Sequence, residues 1–334
     1  MKTVLVAGGA GYIGSHMVQA LLDAGHRPII LDDFSRGHRD LVLTGDLVEG
    51  NLGDVAALRR AFEGYSIDAV MHFAAFASVG ESVQQPLMYW INNAGNTAVL
   101  LDAMRQYGVS RFVFSSTCAT YGQPDRSPIS ETAPQVPINP YGASKLACER
   151  MLMDSHVAHG LRFVSLRYFN AAGAHPRGHI GERHDPETHL IPNVLKVALG
   201  RAANVSIYGT DYPTRDGTCI RDYIHVCDLA QAHMLALDAL FRDLPFGLYN
   251  LGTETGSSVR EVVEQARQIT GHAIPVVEGP RRPGDPAELV ATAAKARKDL
   301  GWQPRLSTLP AILETAWNWH RKDDGQDAGP RSAS

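Results

Sequence analysis

Short apolar runs alternate with longer amphipathic stretches through the first half of the chain. Val4-Leu5-Val6, Pro28-Ile29-Ile30-Leu31, Ala69-Val70-Met71-His72-Phe73, Arg111-Phe112-Val113-Phe114 and Arg162-Phe163-Val164-Ser165-Leu166 read as strands. Apolar residues at helical spacing lie between them, notably from Tyr12 to Ala24, from Asn93 to Tyr107 and from Pro140 to His159. Strand and helix in alternation predict an α/β fold with a doubly wound parallel sheet, covered by helices on both faces. After Gly173 the pattern loses its regularity, and turn-rich segments such as His175 to Thr188 and Gly209-Thr210-Asp211-Tyr212-Pro213 separate shorter elements. The expected division is a first lobe over 1–173, a smaller α/β substrate lobe over 174–322, and a tail over 323–334. Ile224-His225-Val226 followed by Asp228 to Leu240 reads as one more strand and helix, so a return to the first lobe at about 218–245 is expected. The tail, rich in Asp, Gly, Ser and Ala and without apolar periodicity, reads as disordered.

Composition narrows the function classes. A chain of 334 residues, 44% hydrophobic, is long enough for two packed lobes or one large α/β unit with an elaborated end. Its formal net charge of −4, with Lys and Arg dispersed, gives no electrostatic footprint for nucleic acid or an anionic membrane. No leader-like segment precedes Val4 and no apolar run approaches the roughly 18 residues of a membrane span, so a cytoplasmic protein is expected. Cys118, Cys148, Cys219 and Cys227 lack a C-x-x-C pairing and read as reduced, structural thiols. His175, His179, His184 and His189 lie in a Gly- and Pro-containing loop without a helical i, i+4 pair, which predicts a mobile active-site loop and no metal. Trp317 and Trp319 read as core or anchoring residues.

Gly8-Gly9-Ala10-Gly11-Tyr12-Ile13-Gly14 follows the first strand directly and opens a helix, the context that a dinucleotide fingerprint requires. Gly8 permits the tight turn, Gly11 lets backbone approach a pyrophosphate, Gly14 allows close helix packing, and the helix N-terminus supplies free N–H donors. Asp32 ends the second strand, where an acid accepts from the adenosine ribose and repels a 2′-phosphate, favouring NAD over NADP. A solvated surface charge is the expectation for Arg36.

Tyr141-Gly142-Ala143-Ser144-Lys145 places a phenol and an ammonium one turn apart on a helix face. A free tyrosine has a pKa of about 10, so proton transfer near neutrality needs a drop of about three units, roughly 4 kcal/mol. A unit charge about 4 Å away contributes ~1 kcal/mol in water but ~4 kcal/mol at an effective dielectric near 20, so Lys145 works only in a desolvated cleft. Ser115-Ser116-Thr117 ends the preceding strand and offers the Thr117 hydroxyl beside the tyrosine.

On these residues the chain resembles the extended short-chain dehydrogenase/reductase family over nearly its whole length. The stretches Gly8 to His16, Phe73 to Ser82, Tyr168 to Pro176 and Asp211 through Val226 look like the UDP-glucose 4-epimerases. The resemblance implies a Rossmann-type fold and an isomerase that inverts C4 of a UDP-sugar through a transient 4-keto sugar. Thr117, Tyr141 and Lys145 would be catalytic. NAD would be held by Gly8, Gly11, Tyr12, Ile13, Gly14, Asp32, Asp33, Asn51, Leu52, Phe73, Ala74, Ala75, Asn92, Ser115, Tyr141, Lys145 and Tyr168. Besides Thr117 and Tyr141, the substrate would meet Asn170, His189, Leu190, Ser206, Tyr208, Arg221, Arg282, Asp285 and Leu289.

A homodimer joined through the helices at Asn93 to Tyr107 and Pro140 to His159 is also implied. Ala77 replaces a Lys, and Asn51 an acidic residue, found in some relatives near the cofactor. Leu289 replaces a bulky Tyr, so N-acetylated sugars are an alternative substrate, as are UDP-pentoses. A nucleotide-sugar 4,6-dehydratase is disfavoured, because Cys118 and Ala119 stand where its Asp-Glu pair would be. A non-catalytic NAD-binding scaffold has no evident need for Thr117, Tyr141 and Lys145 together.

Overall fold

The computed structural model describes residues 1–282 and 285–323. Six strands of the first half, β1 (Thr3–Ala7), β2 (Arg27–Asp32), β3 (Leu47–Glu49), β4 (Ala69–His72), β5 (Arg111–Thr117) and β6 (Arg162–Tyr168), build the main sheet. Four short strands follow: β7 (Asn170–Ala172), β8 (Val205–Tyr208), β9 (Ile220–Arg221) and β10 (Tyr223–His225). Then β11 (Phe246–Asn250) completes a seven-stranded parallel sheet in the order β11-β6-β5-β4-β1-β2-β3. The order reverses between β1 and β4, and in such sheets the ligand crevice opens at that reversal, beyond the carboxyl ends of the strands. This is the doubly wound α/β sheet expected.

The helices are α1 (Tyr12–Asp23), α2 (Val55–Gly64), α3 (Val79–Gln84), α4 (Pro86–Tyr89), α5 (Asn96–Gln106), α6 (Pro140–His159), α7 (Leu190–Ala198), α8 (Val226–Phe241), α9 (Val259–Thr270), α10 (Ala294–Leu300) and α11 (Leu309–Asp323). Alternation along β1 assigns the two faces. Val4 and Val6 pack with Met17, Leu21, Leu229 and Leu237 of α1 and α8, while Leu5 and Ala7 pack with Leu58, Leu100 and Leu152 of α2, α5 and α6. Both faces are buried, which is why the strands read as continuous apolar runs. A third core, under α7, α9 and α11, gathers Val194, Leu195, Val262, Ile312 and Leu313.

The chain does return to the main sheet after its excursion. The strand at Ile224 pairs as β10 with β7, outside the main sheet, and Val226 opens α8. The α8 helix packs on α1, and β11 then extends the sheet beside β6. Two main-sheet strands escaped the pattern. Only Val48 of β3 is buried, and β11 is interrupted by Gly247, where a Cβ would lie 2.3 Å from the Tyr249 ring. Strands β12 (Ser257–Ser258), β13 (Val276–Gly279) and β14 (Glu288–Leu289) finish the smaller sheets with β9 and β8. Among the described residues no helix is long and apolar enough to cross a membrane. Of the segment 323–334 only Asp323, the last residue of α11, is described; the rest of the expected tail lies outside the described residues.

Candidate active site

A cavity of about 1290 Å³ opens along the carboxyl ends of β1, β2, β4, β5 and β6. That exceeds the about 300–1,000 Å³ of a site for one small ligand, so two ligands have room side by side. Gly8, Gly11, Tyr12, Ile13 and Gly14 line one end, with Asp32, Asp33, Asn51, Leu52, Phe73, Ala74, Ala75 and Asn92 around them. Gly8 has φ +79°, and a Cβ there would meet Ala74 N at 2.6 Å; a Cβ on Gly14 would meet Gly8 O at 1.9 Å. Gly11 caps α1 without any side-chain hydrogen bond, leaving the first-turn N–H groups for an anion.

Asp32 is already engaged. Its Oδ2 accepts from Ala10 N at 2.9 Å and its Oδ1 from Phe34 N at 2.9 Å, so the carboxylate pins the glycine turn to the end of β2. Burial raises its pKa against those N–H donors. Asp33 accepts from Asn51 Nδ2 at 2.6 Å, and Asn96 Nδ2 donates to Asn51 Oδ1 at 2.8 Å. Arg36 is exposed, as a solvated surface charge is expected to be, and it is paired. It pairs with Glu81 at 2.6 Å and lies 5.2 Å over the Phe76 ring. The π-helical turn Trp90–Gly95 presents Asn92 to the cavity, while buried Asn93 bonds the Phe76 backbone (2.9 and 3.0 Å) and Ser144 Oγ (3.1 Å).

The catalytic candidates meet in the middle of the cavity. Asn139 caps α6 by accepting from Gly142 N at 2.8 Å, so Tyr141 and Lys145 fall on the first turns of the helix. Thr117, at the end of β5, hydrogen-bonds the Tyr141 hydroxyl and accepts from Ala119 N at 3.1 Å. Ser115 Oγ bonds the Tyr168 hydroxyl. Lys145 is buried, donates to Ser115 O at 2.8 Å and lies 4.6 Å over the Phe114 ring.

The electrostatics depart from the expectation that Lys145 acidifies the phenol. Burial pushes Tyr141 up to about 12 against the Thr117 hydrogen bond, and burial pulls Lys145 down to about 8. With the ammonium turned to a carbonyl, desolvation wins at both groups. At about 1.36 kcal/mol per unit, a phenol at 12 lies roughly 7 kcal/mol from ionisation at pH 7. A unit positive charge about 4 Å from the phenol would offset about 4 kcal/mol of that, but the Lys145 ammonium is given to Ser115 O. The rest needs further positive charge in the same cleft.

The opposite wall carries Asn170, His189, Arg221, Arg282, Asp285 and Leu289. Asn170 Nδ2 donates to Asp222 O at 2.8 Å, and Arg221 pairs with Asp285 across 64 positions of sequence. Three residues expected at the substrate do not line the cavity. Leu190 opens α7 and turns into the core beneath it, and Ser206 and Tyr208 sit on β8, which forms a two-stranded sheet with β13. Tyr208 connects to the site through Arg282, whose guanidinium lies 4.1 Å over its ring.

The histidine loop is anchored. Trp319 Nε1 donates to Glu182 O at 2.9 Å, Arg183 pairs with Asp40 at 2.8 Å, and His38 Nε2 lies 2.8 Å from Arg183 O. This brings His184, expected on an active-site loop, to the cavity together with Glu182, Glu187 and Asn193, which the spacing did not disclose. Burial opposes protonation of His184 and His189, but the Glu182 and Glu187 carboxylates outweigh it and hold them up to about 9 and about 10.

Residues 4–252 match the model of the NAD dependent epimerase/dehydratase family. The chain belongs to this family. A UDP-glucose 4-epimerase from Halalkalibacterium halodurans is 52% identical over 319 residues, 96% of each chain. The crystal structure of UDP-glucose 4-epimerase from Brucella ovis in complex with NAD superposes with TM-score 0.93 at 50% identity, covering 95% of this chain and 98% of that one. That from Bifidobacterium longum, in complex with NAD+ and UDP, gives 0.91 at 42% identity, covering 97% and 99%.

The cofactor of this epimerase is therefore NAD, and the residues fit it. A Cβ on Gly8 would collide with the Ala74 backbone and one on Gly14 with the Gly8 carbonyl, the α1 N-terminus has no side-chain cap, and the carboxylates of Asp32 and Asp33 face the cavity where a 2′-phosphate would bring like charge.

Proposed function

We propose that this epimerase inverts C4 of a UDP-sugar, interconverting UDP-glucose and UDP-galactose, through a transient 4-keto sugar. The observation that carries the proposal is the meeting of Thr117, Tyr141 and Lys145 in one cavity, between a dinucleotide cradle and a wall bearing Arg221, Arg282 and Asp285. Tyr141, as the phenolate that the added positive charge of a bound NAD would favour, takes the proton of the 4-hydroxyl onto its oxygen and later returns it. Thr117, hydrogen-bonded to that phenol, orients the sugar hydroxyl. Lys145 keeps positive charge beside the pair in a water-poor setting, where it is strongest. NAD, when bound, supplies the acceptor that oxidises C4 and gives the electron pair back, so net redox change is zero and the cofactor stays in place. Arg221 and Arg282 suit a diphosphate through charge-assisted hydrogen bonds, and Asp285 suits the uridine ribose.

Dehydration finds no support. Cys118 follows Thr117, and burial pushes its thiol well above the ordinary value, so no acid for elimination stands there.

We assign residues 1–173 with the return through α8 and β11 to the cofactor, and 174–322 otherwise to the nucleotide-sugar. We place the enzyme in the cytoplasm as a homodimer joined at α5 and α6; exposed Leu87, Trp90 and Ile91 before α5 and Val157 on α6 support that surface. Tyr141→Phe tests the function. It is expected to lower turnover of UDP-glucose by about 10²–10⁴-fold while NAD remains bound, since it removes one oxygen and little volume. Near-normal turnover overturns the assignment.

A further inference from the structure

Outside the catalytic constellation, one further group of side chains converges on a single point. Glu182, His184, Glu187 and His189 each offer one donor atom, and these atoms lie within 4.8 Å of one another. His184 Nδ1 is 3.0 Å from Glu182 Oε1 and 3.6 Å from Glu187 Oε2, and His189 Nδ1 is 2.8 Å from Glu182 Oε1 and 3.0 Å from Glu187 Oε1. Both imidazoles thus aim the same ring nitrogen at the same two carboxylates. Those carboxylates are buried, with side chains only 4% and 2% exposed. Two adjacent buried anions require two positive charges between them.

We propose that Glu182, His184, Glu187 and His189 bind one divalent transition-metal cation, of the Zn²⁺ class, in the wall of the active-site cavity. Ligand distances of about 2.0–2.1 Å place tetrahedral donors about 3.3–3.4 Å apart, inside the 2.8 to 3.6 Å span of the imidazole–carboxylate distances. One cation supplies both positive charges at the point where the four donors meet, and it displaces the Nδ1 protons of the two imidazoles, which leave to solvent. Two imidazolium rings would instead face each other, with centroids 5.2 Å apart.

The chain that carries the two carboxylates is fixed by groups other than the imidazole rings. Trp319 fixes the Glu182 backbone at 2.9 Å, and Glu187 Oε1 accepts from Thr188 N and His189 N, each at 2.8 Å. Imidazole with carboxylate selects Zn²⁺ or Co²⁺ over Mg²⁺ and Ca²⁺, which favour all-oxygen shells. The His184 ring meets the Tyr12 ring edge-on at 6.2 Å, so a bound ion would tie the loop to the N-terminus of α1 and to the start of α7.

The test uses purified protein with its retained NAD, stripped of metal by a chelator and titrated with ZnCl₂, CoCl₂ and MgCl₂. The expected result is uptake of one equivalent of Zn²⁺ or Co²⁺, a visible Co²⁺ absorption of tetrahedral type, and no uptake of Mg²⁺ at the same concentration. His184→Asn and Glu187→Gln should each weaken uptake roughly tenfold or more. Melting curves and NAD content verify that the variants fold. Should they fail to fold, anomalous scattering from wild-type crystals soaked in Zn²⁺ decides: a peak between the four side chains supports the site, and a peak elsewhere or none overturns it. Absence of stoichiometric uptake by the wild-type protein, or uptake unchanged in both variants, leaves an ion-pair quartet only and overturns the proposal.

Discussion

Replacing Lys145 by Met should make the cofactor-free protein more stable and the enzyme inactive. Burial lowers the ammonium from its ordinary 10.5 to about 8, so the folded state at pH 7 carries the charge at a cost of about 2.5 units, or roughly 3 kcal/mol. Methionine removes that cost with similar length and apolar character. Ser115 O loses its donor, which returns about 1 kcal/mol, for a net gain near 2 kcal/mol at pH 7.

The pH dependence identifies the cause. Lys145 binds fewer protons folded than unfolded between about 8 and 10.5, so wild-type stability rises with pH through that window. The advantage of the variant is therefore full below pH 8 and vanishes by about pH 10.5. Denaturant unfolding of both proteins, freed of NAD, at pH 7 and at pH 9.5 measures it, and turnover should fall by about 10² or more. A variant less stable than wild type at pH 7, or a difference independent of pH, refutes the reasoning.

Gly14→Ala places a Cβ 1.9 Å from Gly8 O, so the purified variant should contain little or no NAD by absorbance; full occupancy would show that the cradle is not where the phosphates sit. Glu149→Gln strands a buried guanidinium, because Arg167 donates to both Glu149 oxygens at 2.8 and 2.6 Å. Chemical denaturation should show a loss of about 3–5 kcal/mol, and a loss under about 1 kcal/mol would mean the pair is dispensable. Leu289 lines the cavity where a larger side chain would narrow it, so UDP-N-acetylglucosamine should be turned over as well as UDP-glucose. An assay in which only UDP-glucose reacts rejects that reading.

The features legible in the sequence are those fixed by local geometry. Gly8, Gly11 and Gly14 declare a strand-to-helix turn, and Tyr141 with Lys145 declare one helix face, because a few consecutive dihedrals decide both. The strands of the buried sheet were legible wherever apolar runs were long enough, and β3 and β11 were lost to brevity and to Gly247. Contacts made by irregular chain were not legible. Arg221 meets Asp285 across 64 positions, and Glu182, His184, Glu187 and His189 converge because Trp319 and Asp40 hold the loop from outside. Nor could spacing reveal that Lys145 turns to Ser115 O, which leaves Tyr141 under the control of burial.

UDP-glucose deuterated at C4, incubated with the purified protein in ordinary water without added NAD, tests transient oxidation at that carbon most directly. The account predicts UDP-galactose that keeps deuterium at C4, since the hydrogen removed returns to the same carbon from within the cavity. Product carrying solvent hydrogen at C4, or no product until NAD is added, would contradict it.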